Sequence, residues 1–297
     1  MTLRLPSPNG APHPLLGILL ISAAVLLFAV LDSLSKYLSA FHSVVMLVWF
    51  RYAVHTLLLA GVLLPRRGLG LLRSKRPLLQ GLRGLCLFAT SMLFISGLRY
   101  LPLGEATAIN FLAPLLVTVL AVPLLGERAT RGQWVAVGAG FLGVLIIVRP
   151  GGGLMTPAML FPLGSATCFG LYQLITRRIA GTDDAATTNL ITGVIGTLGT
   201  SLLLPFFWET APLGHILGMA ALGVIGLSGH MLLTWAFLYA SPVLLAPFSY
   251  GQILFAGLLG YLLFDHVPDA GALLGMAVIA LSGLAVALRQ RRQTGRE

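Results

Sequence analysis

TAPLGHILGMAALGVIGLSGHMLLTWAFLYASPVLLAPFSYGQILFAGLLGYLLF, from Thr210 to Phe264, contains no lysine, arginine, aspartate or glutamate. A hydrocarbon layer about 30 Å thick takes about 20 mainly apolar residues as a helix, so this run holds two spans. Turn chemistry at Ala240-Ser241-Pro242 is the one place to divide it, giving spans at 213 to 238 and 243 to 264. Working outward, apolar runs recur at 14 to 36, 43 to 64, 77 to 98, 103 to 125, 131 to 148, 156 to 178, 185 to 207 and 269 to 288. In lipid each backbone polar group must be bonded inside its own helix, so every run reads as helical. The expected fold class is an all-α membrane protein with ten transmembrane helices.

Composition agrees. Lys+Arg number 19 and Asp+Glu 9 in 297 residues, a charged share of 9% where a soluble domain has about 25%. The longest polar stretch, Pro65 to Arg76, is too short to bury a core, which excludes a separate aqueous catalytic domain. Net charge is +10, but the cations sit in short clusters beside apolar runs and form no interleaved basic face, so no nucleic-acid partner is expected. Cys86 and Cys168 fall inside apolar runs and read as small buried hydrophobes. The run after Arg4 continues past signal-peptide length and reads as a retained first helix. Gly138-Ala139-Gly140-Phe141-Leu142-Gly143 spells G-x-G-x-x-G, yet it lies within an apolar helix with no strand before it and is a packing face. There is no phosphate loop, no H-E-x-x-H and no cysteine ligand cluster, so catalysis, a cofactor and a metal are not expected.

Lysine and arginine in short loops stay on the cytoplasmic side. With both termini inside, that side holds fourteen cations: Arg4, Arg66, Arg67, Arg73, Lys75, Arg76, Arg128, Arg131, Arg177, Arg178, Arg289, Arg291, Arg292 and Arg296. The other side holds three, Lys36, Arg99 and Arg149. A multi-pass protein of the bacterial inner (plasma) membrane with cytoplasmic termini follows. The halves also match in register. Phe28-Ala29 followed by Lys36 corresponds to Phe169-Gly170 followed by Arg177, with Asp32 opposite Gln173, and Tyr100 with 124 to 128 corresponds to Tyr239 with 262 to 266. Five spans per half force the second copy to enter from the opposite face. Residues 1–150 and 151–297 are therefore expected as inverted five-helix repeats around a central cavity, a construction common in secondary transporters.

Trp49-Phe50-Arg51-Tyr52, Gly97-Leu98-Arg99-Tyr100, Ala106-Thr107-Ala108-Ile109-Asn110-Phe111-Leu112-Ala113-Pro114, Leu125-Gly126-Glu127-Arg128 and the glycine-rich fifth span resemble the drug/metabolite transporter superfamily, specifically its ten-helix EamA-type permeases. The second half departs from the pattern, with Phe264-Asp265-His266 where Gly-Glu is usual and no arginine opposite Arg51. The resemblance implies a cavity formed mainly by helices 1 to 4 and 6 to 9, helices 5 and 10 as outer supports, and export of metabolites such as amino acids. The phenylalanines and tyrosines of the candidate cavity point to neutral or aromatic ones, with other amphipathic solutes or lipophilic cations, or a membrane-embedded enzyme or scaffold, as the alternatives.

A polar side chain at membrane depth normally faces a cavity or a partner. Arg51 is too deep to snorkel and could fork onto a substrate carboxylate, or pair structurally with Asp32 or Glu105. Asp32 and Lys36, spaced i, i+4 in the favourable order, read as a gate or an interfacial ion pair. Arg83, near the basic inner loop, reads as snorkelling. Pro114 lacks the N–H that the Asn110 carbonyl would use, freeing backbone beside Phe111, and Pro247 does the same beside Phe248, Ser249, Tyr250 and Gln252. Thr90, Ser91 and Phe94 form one same-face stripe, and Phe169, Tyr172, Gln173 and Thr176 another. His230 and Trp235 suit the same pocket. The expected substrate-binding set is thus Arg51, Thr90, Ser91, Phe94, Asn110, Phe111, Pro114, Phe169, Tyr172, Gln173, His230, Trp235 and Tyr250, with gating by Asp32, Lys36 and Pro247. The partners are a small molecule and the lipid bilayer, with the chain as monomer or homodimer.

Overall fold

The computed structural model describes residues 13–126, 129–149, 156–179, 182–240 and 242–294. Arg4, Glu127, Arg128, Ser241 and Arg296, and the repeat boundary at 150 and 151, lie outside the described residues. Among the described residues every regular element is a helix: α1 (Pro14–Ser39), α2 (Val44–Arg67), α3 (Pro77–Leu98), α4 (Leu103–Asn110), α5 (Ala113–Leu125), α6 (Arg131–Val148), α7 (Leu160–Ile179), α8 (Ala185–Phe207), α9 (Leu213–Tyr239), α10 (Pro242–Ser249), α11 (Gly251–Phe264) and α12 (Ala270–Thr294). Nine spans are long and apolar enough to cross a membrane, with Ala270–Val286 as a shorter apolar tenth.

The fourth and ninth spans are each broken, at places set by the chemistry. Pro114 offers no N–H to the Asn110 carbonyl; the chain turns through Phe111 and Leu112, and α5 restarts with the Leu115 N–H on the Leu112 carbonyl at 2.9 Å. In the ninth span the break falls at Tyr250, three residues after Pro247, and Ser249 Oγ bonds the Ala246 carbonyl at 2.7 Å. Counted from the Tyr100/Tyr239 match, Tyr250 is the equivalent of Phe111, and the two rings touch, centroids 5.2 Å apart. The ends of these spans also correspond. α5 stops on Gly126 and α11 on Asp265, both left-handed, at φ 69 and 53. A residue with a Cβ strains there, and aspartate is among the few that tolerate it.

Helix packing follows the same inverted relation. α1 packs along α9 as α3 packs along α7, and α2 meets α9 as α8 meets α3. α6 and α12 pair with each other away from the centre, as expected of outer supports. They approach closely through glycine: a Cβ on Gly275 would lie 2.5 Å from the Gly143 carbonyl oxygen.

Candidate functional site

Between the repeats lies a cavity of about 400 Å³. Its wall takes Ile21, Val25, Phe28, Leu31 and Asp32 from α1, Arg51 from α2, Leu87, Thr90, Ser91 and Phe94 from α3, and Asn110, Phe111, Ala113 and Pro114 from the first broken span. The second half adds Phe169 from α7, His230, Leu233 and Phe237 from α9, and Leu245, Ala246, Ser249 and Gln252 from the second broken span. Counting with the same offset, Ser91 matches His230, Phe94 matches Leu233 and Asn110 matches Ser249; Phe28 matches Phe169 by the separate Phe28-Ala29/Phe169-Gly170 register. Each pair lines the cavity from opposite sides. α8 contributes nothing to the wall, so the expected participation of the seventh span is corrected: that helix backs α2 and α3.

The polar groups are few and differently committed. Arg51 makes no hydrogen bond or contact ion pair among the described residues; of the two expected structural partners, Asp32 lies within electrostatic reach and Glu105 is bonded to His266 instead. Asp32, 7% exposed, accepts from Gln252 Nε2 at 2.9 Å, and Glu105 from His266 Nε2 at 2.8 Å. Asn110 Oδ1 accepts from Ser165 Oγ at 2.8 Å. Thr90 and Ser91 return their hydroxyls to α3 carbonyls, at 2.8 and 3.2 Å, and Ser91 Oγ also meets Tyr52 OH at 3.1 Å. His230 packs edge-on to Phe28, centroids 5.1 Å apart. The remaining wall is aromatic and aliphatic, which makes an apolar pocket with sparse polar anchors, suited to a small amphipathic solute.

Six expected residues lie elsewhere. Tyr172, Gln173, Trp235 and Tyr250 are off the wall, as are Lys36 and Pro247. Lys36 does not pair with Asp32: its Nζ bonds the carbonyls of Leu98 and Leu101, at 2.6 and 2.7 Å, because α3 ends there with unsatisfied acceptors. Tyr172 stacks on Phe169 and turns its hydroxyl to Arg83 Nη2 at 2.6 Å. Arg83 does not snorkel. It is 2% exposed, bonded to Thr176 Oγ1 at 2.7 Å, Thr192 Oγ1 at 2.5 Å and the Thr188 carbonyl at 3.1 Å, with its guanidinium 4.4 Å from the Tyr172 ring centroid. Sequence reasoning named Ser249 and Gln252 beside Pro247, and Asp32 as a gate, without counting them in the binding set, and it missed Ile21, Val25 and Phe28 of α1, whose helical same-face spacing with Asp32 was the available signal.

The two ends of the cavity differ. At the end where α3 finishes, α4 packs on α11 and α1 on α3 and α4. At the other end the repeat-equivalent pairs, α5 with α10 and α7 with α9 or α10, make no comparable contact among the described residues. The lining runs toward that second end, reaching Phe237, which is 46% exposed. The cavity is thus closed at the α4/α11 end and splayed at the α5/α10 end.

The description "EamA-like transporter family" matches residues 15–149. An S-adenosylmethionine uptake transporter of Rickettsia bellii is 27% identical over 88% of this chain and 89% of its own length. A pseudopaline exporter of Pseudomonas aeruginosa is 28% identical over 90% and 95%, and a riboflavin transporter of Vibrio cholerae 27% over 96% and 97%. A solved crystal structure, 22% identical, superposes with a TM-score of 0.64, covering 93% of this chain and 98% of that one, and is a likeness of fold.

Proposed function

We propose that this membrane protein belongs to the EamA-like transporter family, whose description matches residues 15–149, and carries a small amphipathic metabolite across the bilayer by alternating access. One observation carries the reading. The repeats pack alike on either side of a shared cavity except at its two ends, where one set of equivalent contacts is made and the other is not. Exchanging the made set for the unmade set is the motion a carrier needs. By the lysine and arginine distribution the splayed end faces the cytoplasm, and the proposed direction is export across the bacterial inner membrane.

The substrate class follows from the wall. Arg51, which makes no hydrogen bond or contact ion pair among the described residues, supplies a cation for a carboxylate, with Asp32 within electrostatic reach. Asp32, Asn110 and the carbonyls freed at Phe111 supply acceptors for an ammonium or amide. Phe28, Phe94, Phe111 and Phe169 supply faces for a flat apolar body. Neutral and aromatic amino acids fit this set, and the relatives' named cargoes, S-adenosylmethionine and riboflavin, share the pairing of a flat ring system with polar groups. The Arg51 cation on the same wall disfavours lipophilic cations. Purified protein in liposomes, assayed by counterflow against amino acids, S-adenosylmethionine, riboflavin and a lipophilic cation, tests the proposal. Saturable exchange of a zwitterionic solute, cut at least about tenfold by Arg51→Ala, is expected, since a charge-assisted bond is worth about 1.5 to 3 kcal/mol. Undiminished flux in a folded Arg51→Ala, Asn110→Ala double variant would refute this placement of the substrate.

A further inference from the structure

We infer that Glu105 and His266 form a proton-binding site that latches the α4/α11 end of the cavity. The inference rests on the alternating-access reading above. Glu105 stands in the first turn of α4 with its side chain 3% exposed, and His266 follows α11 with its side chain 39% exposed. Glu105 Oε1 takes the His266 Nε2 bond at 2.8 Å, while Oε2 is buried with no hydrogen-bond partner. A carboxylate has no proton to offer, so Nε2–H is the donor and Nδ1 is the atom that gains or loses the titrating proton. Water on that face reaches the imidazole; the carboxylate stays inside the protein.

The chemistry sets the sign. With Nδ1 protonated, the contact is an imidazolium–carboxylate bond, roughly twice as strong as its neutral form, and it compensates a buried charge that is costly alone. With Nδ1 bare, the bond weakens and the buried carboxylate keeps only more distant compensation. That compensation is Lys36 of α1, within electrostatic reach but committed to the Leu98 and Leu101 carbonyls and lying 5.5 Å from the Phe264 ring centroid. The other charged or titratable groups at this end are Asp32, held by Gln252; Arg149 and Asp269 from α6 and α12, paired with each other; Arg99 at the end of α3; Asp265 beside His266; and, past the end of α1, His42, 2.7 Å from His215 and 3.5 Å from Glu209 at the α8/α9 turn. α7 brings no ionisable side chain to this end. His266 ties the end of α11 to the start of α4, the two helices whose contact closes the cavity. Counted from the Tyr100/Tyr239 match, the position equivalent to Glu105 is Leu244, so this carboxylate is not repeated at the equivalent position of the other half. Acid on the α4/α11 face therefore favours the closed latch.

Spin labels at Tyr100→Cys and Val267→Cys, both 65% exposed at this end, in a Cys86→Ala, Cys168→Ala background, measure the latch by electron–electron distance in lipid nanodiscs. Measured from about pH 8 down to about pH 5, the short-distance population is expected to rise at least about threefold. His266→Arg should hold it high at every pH, and His266→Gln and Glu105→Gln should make it indifferent to pH. Because His266 is partly exposed, its two variants suffice should Glu105→Gln fail to fold. Two populations whose ratio ignores pH, or a pH response that survives His266→Gln, overturns the latch alone. A single distance in every variant at every pH overturns alternating access as well.

Discussion

At the scale of single residues, Arg83 shows where sequence reading stops. Its position near a basic loop was visible, but four partners come from α7 and α8, residues 89 to 109 positions away, and no local pattern announces them. The buried guanidinium joins three helices, and its Tyr172 partner stacks on Phe169 of the cavity wall. Arg83→Lys keeps the charge but loses the planar fork and the stacking. It should destabilise the protein by about 2 kcal/mol, seen as a lower Tm in detergent, and an unchanged Tm would contradict the network's importance. Arg51, by contrast, was legible because depth alone makes an arginine conspicuous. A second residue-scale prediction concerns Asp183, in the loop between α7 and α8. Gln80 Nε2, Ser74 Oγ and the Lys75 N–H donate to its carboxyl and hold it below the usual carboxylate range. A folded-state value below the unfolded one, about 3.9, contributes stability that is fully present above pH 4 and is lost as pH falls through the folded value. Thermal unfolding of the wild type should thus shift between pH 4 and 3 more steeply than that of Asp183→Asn, and parallel curves would show the loop tie to be inert.

Among the helices, proline and glycine carried most of the legible information, for different reasons. Pro114 fixes its break because a missing N–H acts on its own helix, so the site of disruption is local and readable. Pro247 lies three residues before the break at Tyr250, and the exact place there depends on Phe111 packing against Tyr250 from the other repeat, which sequence order hides. Glycines gave the opposite difficulty: their recurrence was plain, their partners were not. Only in three dimensions does Gly275 oppose Gly143, joining α12 to α6. A Cβ at Gly275 would also meet Ile147 Cγ1 at 2.6 Å, with backbone on the other side unable to yield. Gly275→Ala should therefore part these helices and cost about 1 to 3 kcal/mol, measured as lost thermal stability of the purified protein. Gly138→Ala, a helical glycine of α6 with nothing within 4 Å, is the matched control and should be neutral or slightly stabilising. Equal effects of the two would remove close packing as the reason for the glycine at 275.

For the molecule as a whole, the weak match between halves turned out to carry the most structural meaning. Tyr100 with Tyr239 places the two helix breaks, the two left-handed span ends and three pairs of wall residues in register. What that match could not contain is the difference between the ends, since a relation of equivalence gives no reason for one gate to be closed and the other splayed. That difference belongs to the conformation and has a direct consequence for access. Ala246 lines the cavity on α10, toward the splayed end. A cysteine there, in a background without Cys86 and Cys168, should react with a membrane-impermeant thiol reagent supplied from the α5/α10 side and be shielded from the other. Right-side-out and inside-out vesicles present the two faces separately, so the experiment also reports orientation: the lysine and arginine distribution requires the reactive side to be the cytoplasmic one. Reaction only from the outer side would reverse the proposed topology while keeping the gate assignment. Equal reaction from both sides would mean that the α4/α11 contacts do not seal the cavity, and the mechanism built on their exchange would fall with them.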